Sequence, residues 1–340
     1  MIKKSKGKVI LSHYSALVMI RYARILGAKL IKCEDEEILH NARCPNVDEV
    51  KLLSQFVNKQ TGKSYKLDVL LDRVNKKARN SLINCHSCKY RLSAENFYNI
   101  VSDDEVLNTT LFNSIVIVSP ELAIFQLSRI VPVWRLLQWT IELMGNYAID
   151  INCQFGFTKC KPLITNLKNM KNLTISLSNS KLSNNSNLIL CIDYAASGSV
   201  SPAETNLYIL LCGPRKLGFF QIRKLIFNIE IELSDEAIKI SGQNSVTPDL
   251  LYLNKKVAIE YDSDAFHTNN YQDQKDKRRI MALTHDGWKV FVVTAFQINN
   301  YNSFCQLALD ILKACGQDKR IRSKKFHKYS RENFYALLRH

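Results

Sequence analysis

Three acidic residues and one histidine lie close together in the C-terminal half of the chain. Asp249 opens the apolar segment 249–253, and Glu260 and Asp262 lie two residues apart in the apolar segment 257–262. His267 follows five residues later. Alternate side chains of a strand share one face, so Glu260 and Asp262 should lie on the same side. If a tight hairpin joins the two segments, Asp249 lies beside Glu260.

Converging carboxylates of this kind predict a site for a hard divalent cation. Mg²⁺, or Mn²⁺, takes carboxylate and water oxygens. Such a cation polarises a phosphodiester, activates a water molecule and stabilises the leaving oxygen. We therefore predict Asp249 and Glu260 as metal ligands. Asp262, His267 or a nearby lysine could assist proton transfer.

Glu260 and Asp249 also have structural alternatives. Glu260 follows three apolar residues in a strand that should be buried, and a buried carboxylate needs a cation or a partner. Arg278 or Arg279, on the following helix, could be that partner. Asp249 follows Pro248 and could cap a turn.

The other acids and the histidine have simpler alternatives. Ser201 and Glu204 are spaced as a capping box, which stabilises a helix start without any chemistry. Asp262 could cap the loop after its strand. His267 could be an ordinary loop histidine.

A mixed set of strands and helices must position these residues. The pattern predicts the following elements: a helix from Ser201 to near Gly213, a strand at 225–233 with a hairpin mate or frayed edge at 238–240, strands at 249–253 and 257–262, a helix at 272–285, a strand at 288–294, and a helix at 303–314. This order predicts an α/β domain over residues 188–316, with a mixed sheet flanked by helices.

The rest of the chain divides into three parts. Residues 1–170 are expected to form a separate α+β N-terminal domain that could bind DNA. Its first helix, over residues 12–24, should place Arg21 and Arg24 on a solvated face. Residues 171–187, rich in Asn, Ser and Lys, predict a polar linker or loop.

Residues 317–340 form a basic tail with interleaved aromatic residues such as Phe326, Tyr329, Phe334 and Tyr335. This composition suits contact with a nucleic-acid backbone. A solvated helix or a disordered tail is the alternative.

The bulk composition favours a polyanionic partner. The formal net charge is +16 over 340 residues, and nucleic acid, with DNA first, is the natural partner for such an excess. A compositional bias toward Lys and Asn is the alternative. No segment is apolar and long enough to span a membrane. The ten cysteines are scattered, which favours reduced thiols and a cytoplasmic location. Nothing in the sequence specifies an oligomeric state.

At residues 195–300 the motifs resemble a known family. Pro248-Asp249 and Glu260-Tyr261-Asp262 resemble the PD-(D/E)XK nuclease signature. Together with His267, Asp276-Lys277-Arg278-Arg279 and Gly287-Trp288-Lys289-Val290, they resemble the endonuclease-like domain of unknown function 559. That family is related to the very-short-patch-repair (Vsr) endonucleases.

The resemblance implies a restriction-endonuclease-like fold and a set of roles. Asp249 and Glu260 would be the metal carboxylates. Glu204, at the start of the leading helix, would be an additional acid. Asp262 and His267 would be accessory site residues.

This chain departs from the signature at its lysine. Asp262 occupies that position, as it commonly does in the 559-type domains, and Ser263 stands where a glycine is expected. Lys256, Lys275 or Lys277 could supply the missing cation from elsewhere. The departure leaves the fold expectation intact and leaves two functions open.

The N-terminal part has a shorter likeness. Residues 67–70, His86 and residues 115–123 resemble AbiEi-type abortive-infection antitoxin proteins, which implies DNA binding or a phage-defence context. We therefore hold two hypotheses. One is a Mg²⁺-dependent endonuclease-like protein that hydrolyses DNA phosphodiester bonds. The other is a catalytically inactive nucleic-acid-binding regulator, or an antitoxin-like protein of a phage-defence system.

Overall fold

The chain divides into two units, Met1–Asp193 and Tyr194–His340, each with its own sheet. The computed structural model describes residues 7–73, 81–88, 91–105, 107, 109–160, 165–177, 186–262, 270–317 and 324–338. Both units combine helices with mixed sheets, so the predicted α/β class is confirmed.

The first unit is built on a six-stranded sheet. Its strands are β1 (Val9–Leu11), β2 (Lys29–Lys32), β3 (Leu67–Leu71), β4 (Ile83–Ser87), β5 (Phe97–Val101) and β6 (Ile115–Val118). Their spatial order is β2-β5-β6-β1-β3-β4. Strand β1 runs parallel to β6 and antiparallel to β3. The three central strands β6, β1 and β3 are fully buried. Their residues are apolar except for Asp68 on β3, and such apolar composition is typical of interior strands.

Helices and a hairpin complete the first unit. They are α1 (His13–Ile25), α2 (Val47–Thr61), α3 (Thr110–Asn113), α4 (Pro120–Leu127), α5 (Val133–Met144), the strands β7 (Tyr147–Ile149) and β8 (Phe157–Lys159), α6 (Leu167–Leu177) and α7 (Ser186–Tyr194). Helix α4 starts as its sequence predicts, because Ser119 accepts a hydrogen bond from the Leu122 N–H and Pro120 takes the first helical position.

The prediction for Arg21 and Arg24 is wrong. Both lie on α1 and are buried. Arg21 donates through Nε and Nη2 to the two carboxylate oxygens of Glu142, at 2.8 and 2.6 Å. Arg24 donates to the backbone oxygens of Glu142 and Gly145. Helix α1 is covered on nearly all sides, so its arginines serve as internal ties and do not face solvent.

Residues 171–187, predicted as a linker or loop, overlap two helices. Residues 171–177 belong to α6, residues 186 and 187 belong to α7, and residues 178–185 lie outside the described residues. The boundary between the two units falls after Asp193.

The second unit carries a four-stranded mixed sheet. Its elements are α8 (Pro202–Cys212), β9 (Ile226–Phe227), β10 (Ile231–Glu232), α9 (Asp235–Ser241), β11 (Ser245–Val246), β12 (Leu250–Tyr252), β13 (Val257–Asp262), α10 (Asn270–His285), β14 (Lys289–Thr294), α11 (Ala295–Asn299), α12 (Tyr301–Ala314) and α13 (Lys324–Leu338). The sheet order is β14-β13-β12-β9. Strands β12 and β13 form the antiparallel hairpin, and β13 runs parallel to β14.

Two predictions in the second unit need correction. The single strand expected at 225–233 is two short strands, β9 and β10, which belong to different sheets. Residues 238–240 are not a hairpin mate, because they lie in helix α9. The antiparallel partner of β10 is instead β11.

The basic C-terminal tail also differs from its prediction. Residues 324–338 form helix α13, and Phe326, Phe334 and Leu337 on it are buried. The Phe334 ring lies 5.4 Å from that of Phe304 on α12. Two of the aromatic residues predicted for nucleic-acid contact are therefore core residues of the unit.

Candidate functional site

The hairpin of β12 and β13 brings Asp249 and Glu260 together. Leu250 pairs with Ile259, so the preceding residue, Asp249, lies opposite Glu260. The Tyr261 N–H donates to Asp249 Oδ2 at 2.6 Å. The Asp249 backbone N–H in turn donates to the Glu260 carboxylate. The prediction that the two acids are neighbours is thus confirmed.

Arg279 of helix α10 is the partner of Glu260. Its Nε donates to Glu260 Oε1 at 3.2 Å, and its Nη2 donates to Oε2 in a second, short contact. The Glu260 side chain is 11% exposed and that of Arg279 is 28% exposed. Of the two arginines considered from the sequence, the structure selects Arg279. A bidentate pair of this kind is geometrically specific.

Burial is the main influence on the pKa of Glu260, which it raises. The Arg279 charge and its hydrogen bonds oppose this shift, and nearby Asp276 adds to it. Arg279 therefore neutralises Glu260 only in part, because desolvation still disfavours the charged carboxylate.

Asp249 is the least compensated acid of the group. Burial, followed by the negative charges of Glu260 and Glu204, raises the pKa of Asp249 from 3.8 to about 7. The hydrogen bond from Tyr261 and the charge of Arg279 act in the opposite direction. Burial and the two neighbouring carboxylates thus outweigh the single guanidinium that acts on Asp249, and perturbed acids of this kind are common at functional sites.

Glu204 stabilises the start of helix α8, which is the structural alternative that the sequence offered for it. Its backbone N–H donates to Ser201 Oγ, and Ser201 Oγ donates to Glu204 Oε1 at 3.0 Å. The Val200 N–H donates to Oε2 at 3.0 Å. Glu204 thus fixes the start of α8. It also lies near enough to Asp249 to raise its pKa.

Asn228 is a site residue that the sequence reasoning missed. It lies just after β9 with a φ of 49°, and its Nδ2 donates to Glu204 Oε2 at 2.8 Å and to the Gly198 oxygen at 2.9 Å. Asparagine tolerates this left-handed backbone better than most residues. An Asn inside a run of apolar residues was the available signal, and it also explains why the strand breaks there.

The remaining candidates are Asp262, His267 and the lysines. Asp262 is half-buried at the end of β13, opposite Thr294 of β14. His267 lies outside the described residues. Lys256 lies at the far end of β13 and donates to the Asp286 oxygen. Among the described residues, no lysine forms a hydrogen bond with Asp249 or Glu260.

The residues fit a two-carboxylate cation site rather than a site that encloses its ion. Within the described ranges, no group of three or more His, Cys, Asp or Glu side chains is arranged to hold a metal ion. Mg²⁺ nevertheless commonly binds through one or two carboxylates, with water and substrate oxygens as its other ligands. A bound cation would offset the burial and the negative charges that raise the pKa of Asp249.

The chain was compared with family models, curated proteins and solved structures, and none of them matches it. In the part of the chain that the structure describes, no helix has both the length and the apolar character needed to cross a membrane.

Proposed function

We propose that the second unit is a metal-dependent nuclease module that hydrolyses DNA phosphodiester bonds. The observation that carries the proposal is the state of Asp249. It lies opposite Glu260 on paired strands, and its pKa is raised to about 7 by burial and by Glu260 and Glu204. Burial and the neighbouring acids disfavour the charged form of Asp249, and a nearby cation would favour that form.

Asp249 and Glu260 would hold the Mg²⁺ or Mn²⁺ ion. When bound, such an ion supplies charge stabilisation to the phosphate and activates water. Asp249, whose pKa is raised to about 7, would have to lose its proton to hold the ion. Water forms the new bond to phosphorus as the P–O bond to the leaving oxygen breaks, and Asp262 or His267 could assist in moving the protons.

Arg279 provides the cation that the signature lysine position lacks. It is the positive group bound to Glu260, whereas Lys256 is engaged at the opposite end of β13. A guanidinium released from Glu260 could donate to the phosphate oxygens as negative charge develops on them. Arg279 would then neutralise Glu260 in the free protein and the phosphate in the complex.

One observation favours the second candidate, a catalytically inactive nucleic-acid-binding regulator. Glu260 already has both oxygens bonded to Arg279. If this pair does not open, Glu260 is unavailable to a cation and the fold serves only for binding. The ion pair is therefore the feature on which the two candidates differ.

The test is plasmid cleavage with Mg²⁺ and then with Mn²⁺. We expect the wild-type chain to cut DNA and Glu260→Gln to lose at least about 100-fold in rate, because a metal ligand is removed. Glu236→Gln is the matched control, since Glu236 is exposed on α9, and it should retain full activity.

Binding measurements on the same proteins separate the two candidates. If the wild type binds DNA but cuts none with either metal, the nuclease proposal is wrong and the regulator is supported. If Glu260→Gln cuts as fast as the wild type, the site assignment is wrong. If the protein neither cuts nor binds DNA, both candidates are overturned.

A further inference from the structure

A second polar cluster lies in the first unit, at the edge of the six-stranded sheet. It consists of Ser12, His13, Asp68 and His86. Asp68 Oδ1 lies 2.9 Å from His86 Nε2, and Ser12 Oγ lies 3.0 Å from His13 Nδ1. The two imidazole rings stack, with centroids 3.8 Å apart and planes 28° apart. The nuclease site of the second unit shares none of these residues.

The sheet register assembles this cluster. Ser12 follows β1 and donates its backbone N–H to the Asp68 oxygen at 2.9 Å. His86 comes from β4, the parallel neighbour of β3, which carries Asp68. The Asp68 N–H donates to Ser15 Oγ, so the carboxylate is fixed from the backbone. Residues from three strand segments and the start of α1 are thus held in one arrangement.

His13 has a backbone conformation that few side chains adopt. Its φ is 47°, in the left-handed region, and its N–H donates to Gln126 Oε1 at 3.0 Å. Left-handed backbone at a non-glycine residue is strained and concentrates at functional sites. Here it places the ring against His86.

The two imidazole rings have different surroundings. Burial, followed by the neighbouring His86, lowers the pKa of His13 to about 4, and Asp68 opposes this shift only in part. His13 is therefore a neutral base at physiological pH. The His86 ring is oriented by the Asp68 carboxylate, which lies 2.9 Å from its Nε2. An imidazole can take or give a proton, so two stacked histidines can supply a base and an acid at one place.

Each ring keeps one nitrogen for a substrate. Among the described residues, no hydrogen bond reaches His13 Nε2 or His86 Nδ1. The His86 side chain is 29% exposed, whereas Ser12 is completely buried. Ser12 therefore positions His13 and cannot itself attack a substrate. The cluster supplies a base and an acid, so the attacking group must come from the substrate.

We propose that His13 and His86 form an acid–base site that cleaves RNA. RNA carries its own nucleophile, the 2′-hydroxyl, next to each phosphodiester. The net charge of +16 favours a polyanion. Tyr14, the residue after His13, packs on the partly exposed Tyr65 with ring centroids 4.7 Å apart, and aromatic faces of this kind stack with bases.

The reaction balances without a further reagent. His13 takes the proton of the 2′-hydroxyl, the O2′–P bond forms, and the P–O5′ bond breaks. The leaving O5′ takes the proton of the His86 imidazolium. The products are a 2′,3′-cyclic phosphate and a 5′-hydroxyl, and exchange with solvent restores both histidines.

The test uses the full-length protein, a labelled RNA oligonucleotide and EDTA. We expect the wild type to cleave the RNA and leave a 2′,3′-cyclic phosphate end. The same sequence as DNA or as 2′-O-methyl RNA should stay intact, because neither has the nucleophile. His13→Asn and His86→Asn should each lower the rate by about 100-fold or more, the usual contribution of a general acid or base.

The variants are chosen to keep the fold. Asparagine tolerates the left-handed backbone at position 13. If His13→Asn still fails to fold, the partly exposed His86 carries the test. His40→Asn is the matched control, because its side chain is 77% exposed, and it should cleave at the wild-type rate.

Three outcomes would overturn the proposal. The first is no RNA cleavage by the wild type in EDTA. The second is cleavage of 2′-O-methyl RNA. The third is cleavage by folded His86→Asn at the rate of His40→Asn, which would also reveal a contaminating nuclease.

Discussion

At the scale of single residues, the three acids of the proposed nuclease site differ in the hydrogen bonds and charges that offset their own negative charge. Glu260 has the guanidinium of Arg279, and Glu204 has Asn228, Ser201 and a backbone N–H. Asp249 accepts a hydrogen bond from Tyr261 and faces two negative neighbours. It is therefore the acid of the three whose charge should control the stability of the site.

The pKa of Asp249 predicts that stability falls as pH rises. Between pH 3.8 and about 7 the folded protein keeps the Asp249 proton, whereas the unfolded chain releases it. The free energy of unfolding should therefore decrease across this range. Compared with Asp249→Asn, which has no charge to lose, the wild type should be less stable by roughly 2–4 kcal/mol at pH 8. Near pH 4 the two proteins should be equally stable.

Urea unfolding at several pH values measures this difference. Asp310→Asn is a suitable control, because Asp310 is exposed on α12, and its profile should run parallel to that of the wild type. If Asp249→Asn also runs parallel to the wild type, the shift assigned to Asp249 is wrong.

The sequence was enough to predict that Asp249 and Glu260 are neighbours. It was not enough to predict which arginine pairs with Glu260. The short turn between the two strands was enough to place Asp249 beside Glu260. The sequence left Arg278 and Arg279 equivalent, since only the packing of α10 against the sheet decides which one faces Glu260. Asn228 was missed because its contacts to Glu204 and Gly198 come from separate elements.

At the scale of elements, the strand predicted at residues 238–240 was wrong because the capping residues of a helix were overlooked in favour of the alternating apolar pattern. Residues 235–241 form a helix because Ser234 caps its start, Asp235 and Glu236 occupy the first turn, and Gly242 ends it with a left-handed conformation. All of these signals are in the sequence. The Ile-Lys-Ile alternation at 238–240 favoured a strand, and the capping residues outweigh it in the structure.

Helix α13 is an integral part of the second unit. Phe334 lies against Phe304 and Tyr301 of α12, and Phe326 lies against Phe220. Gly218, with a φ of 83°, has no room for a side chain, because a Cβ there would lie 2.3 Å from the Ser330 nitrogen. The last helix thus closes the core and makes close backbone contact with residue 218.

We predict that Phe334→Ala destabilises the protein by about 3–5 kcal/mol, the usual cost of deleting a buried aromatic ring. Tyr329→Ala is the control on the same helix, because Tyr329 is 40% exposed, and it should cost less than about 1 kcal/mol. Chemical unfolding of both variants measures the difference. Equal, small effects would mean that α13 is not packed as described.

At the scale of the whole molecule, charge is distributed unevenly along the second unit. Residues 194–316 contain 13 basic and 13 acidic residues, whereas residues 317–340 contain 8 basic and 2 acidic ones. The positive excess of this unit therefore comes from its last segment. On α13, Lys328 and Arg331 are exposed, while Phe326 and Phe334 face the core. One helix thus combines a packing face with a charged face.

The two proposed sites can be tested separately because each lies within one unit. Asp249, Glu260 and Arg279 belong to Tyr194–His340, and His13 and His86 belong to Met1–Asp193. The first site calls for a divalent cation and the second operates in EDTA. A single preparation therefore distinguishes them through the metal dependence and the substrate.

The charge of α13 leads to a prediction for DNA binding. A lysine that contacts phosphate releases a counterion, so its removal weakens binding and reduces the slope of log K against log salt by about 1. We expect this from Lys328→Ala, measured in EDTA by fluorescence anisotropy with duplex DNA at several KCl concentrations. Lys239→Ala, the same charge change on exposed α9, should keep the wild-type slope. Equal slopes for the two variants would exclude α13 as the DNA contact, and salt-independent binding by the wild type would argue against a nucleic-acid partner altogether.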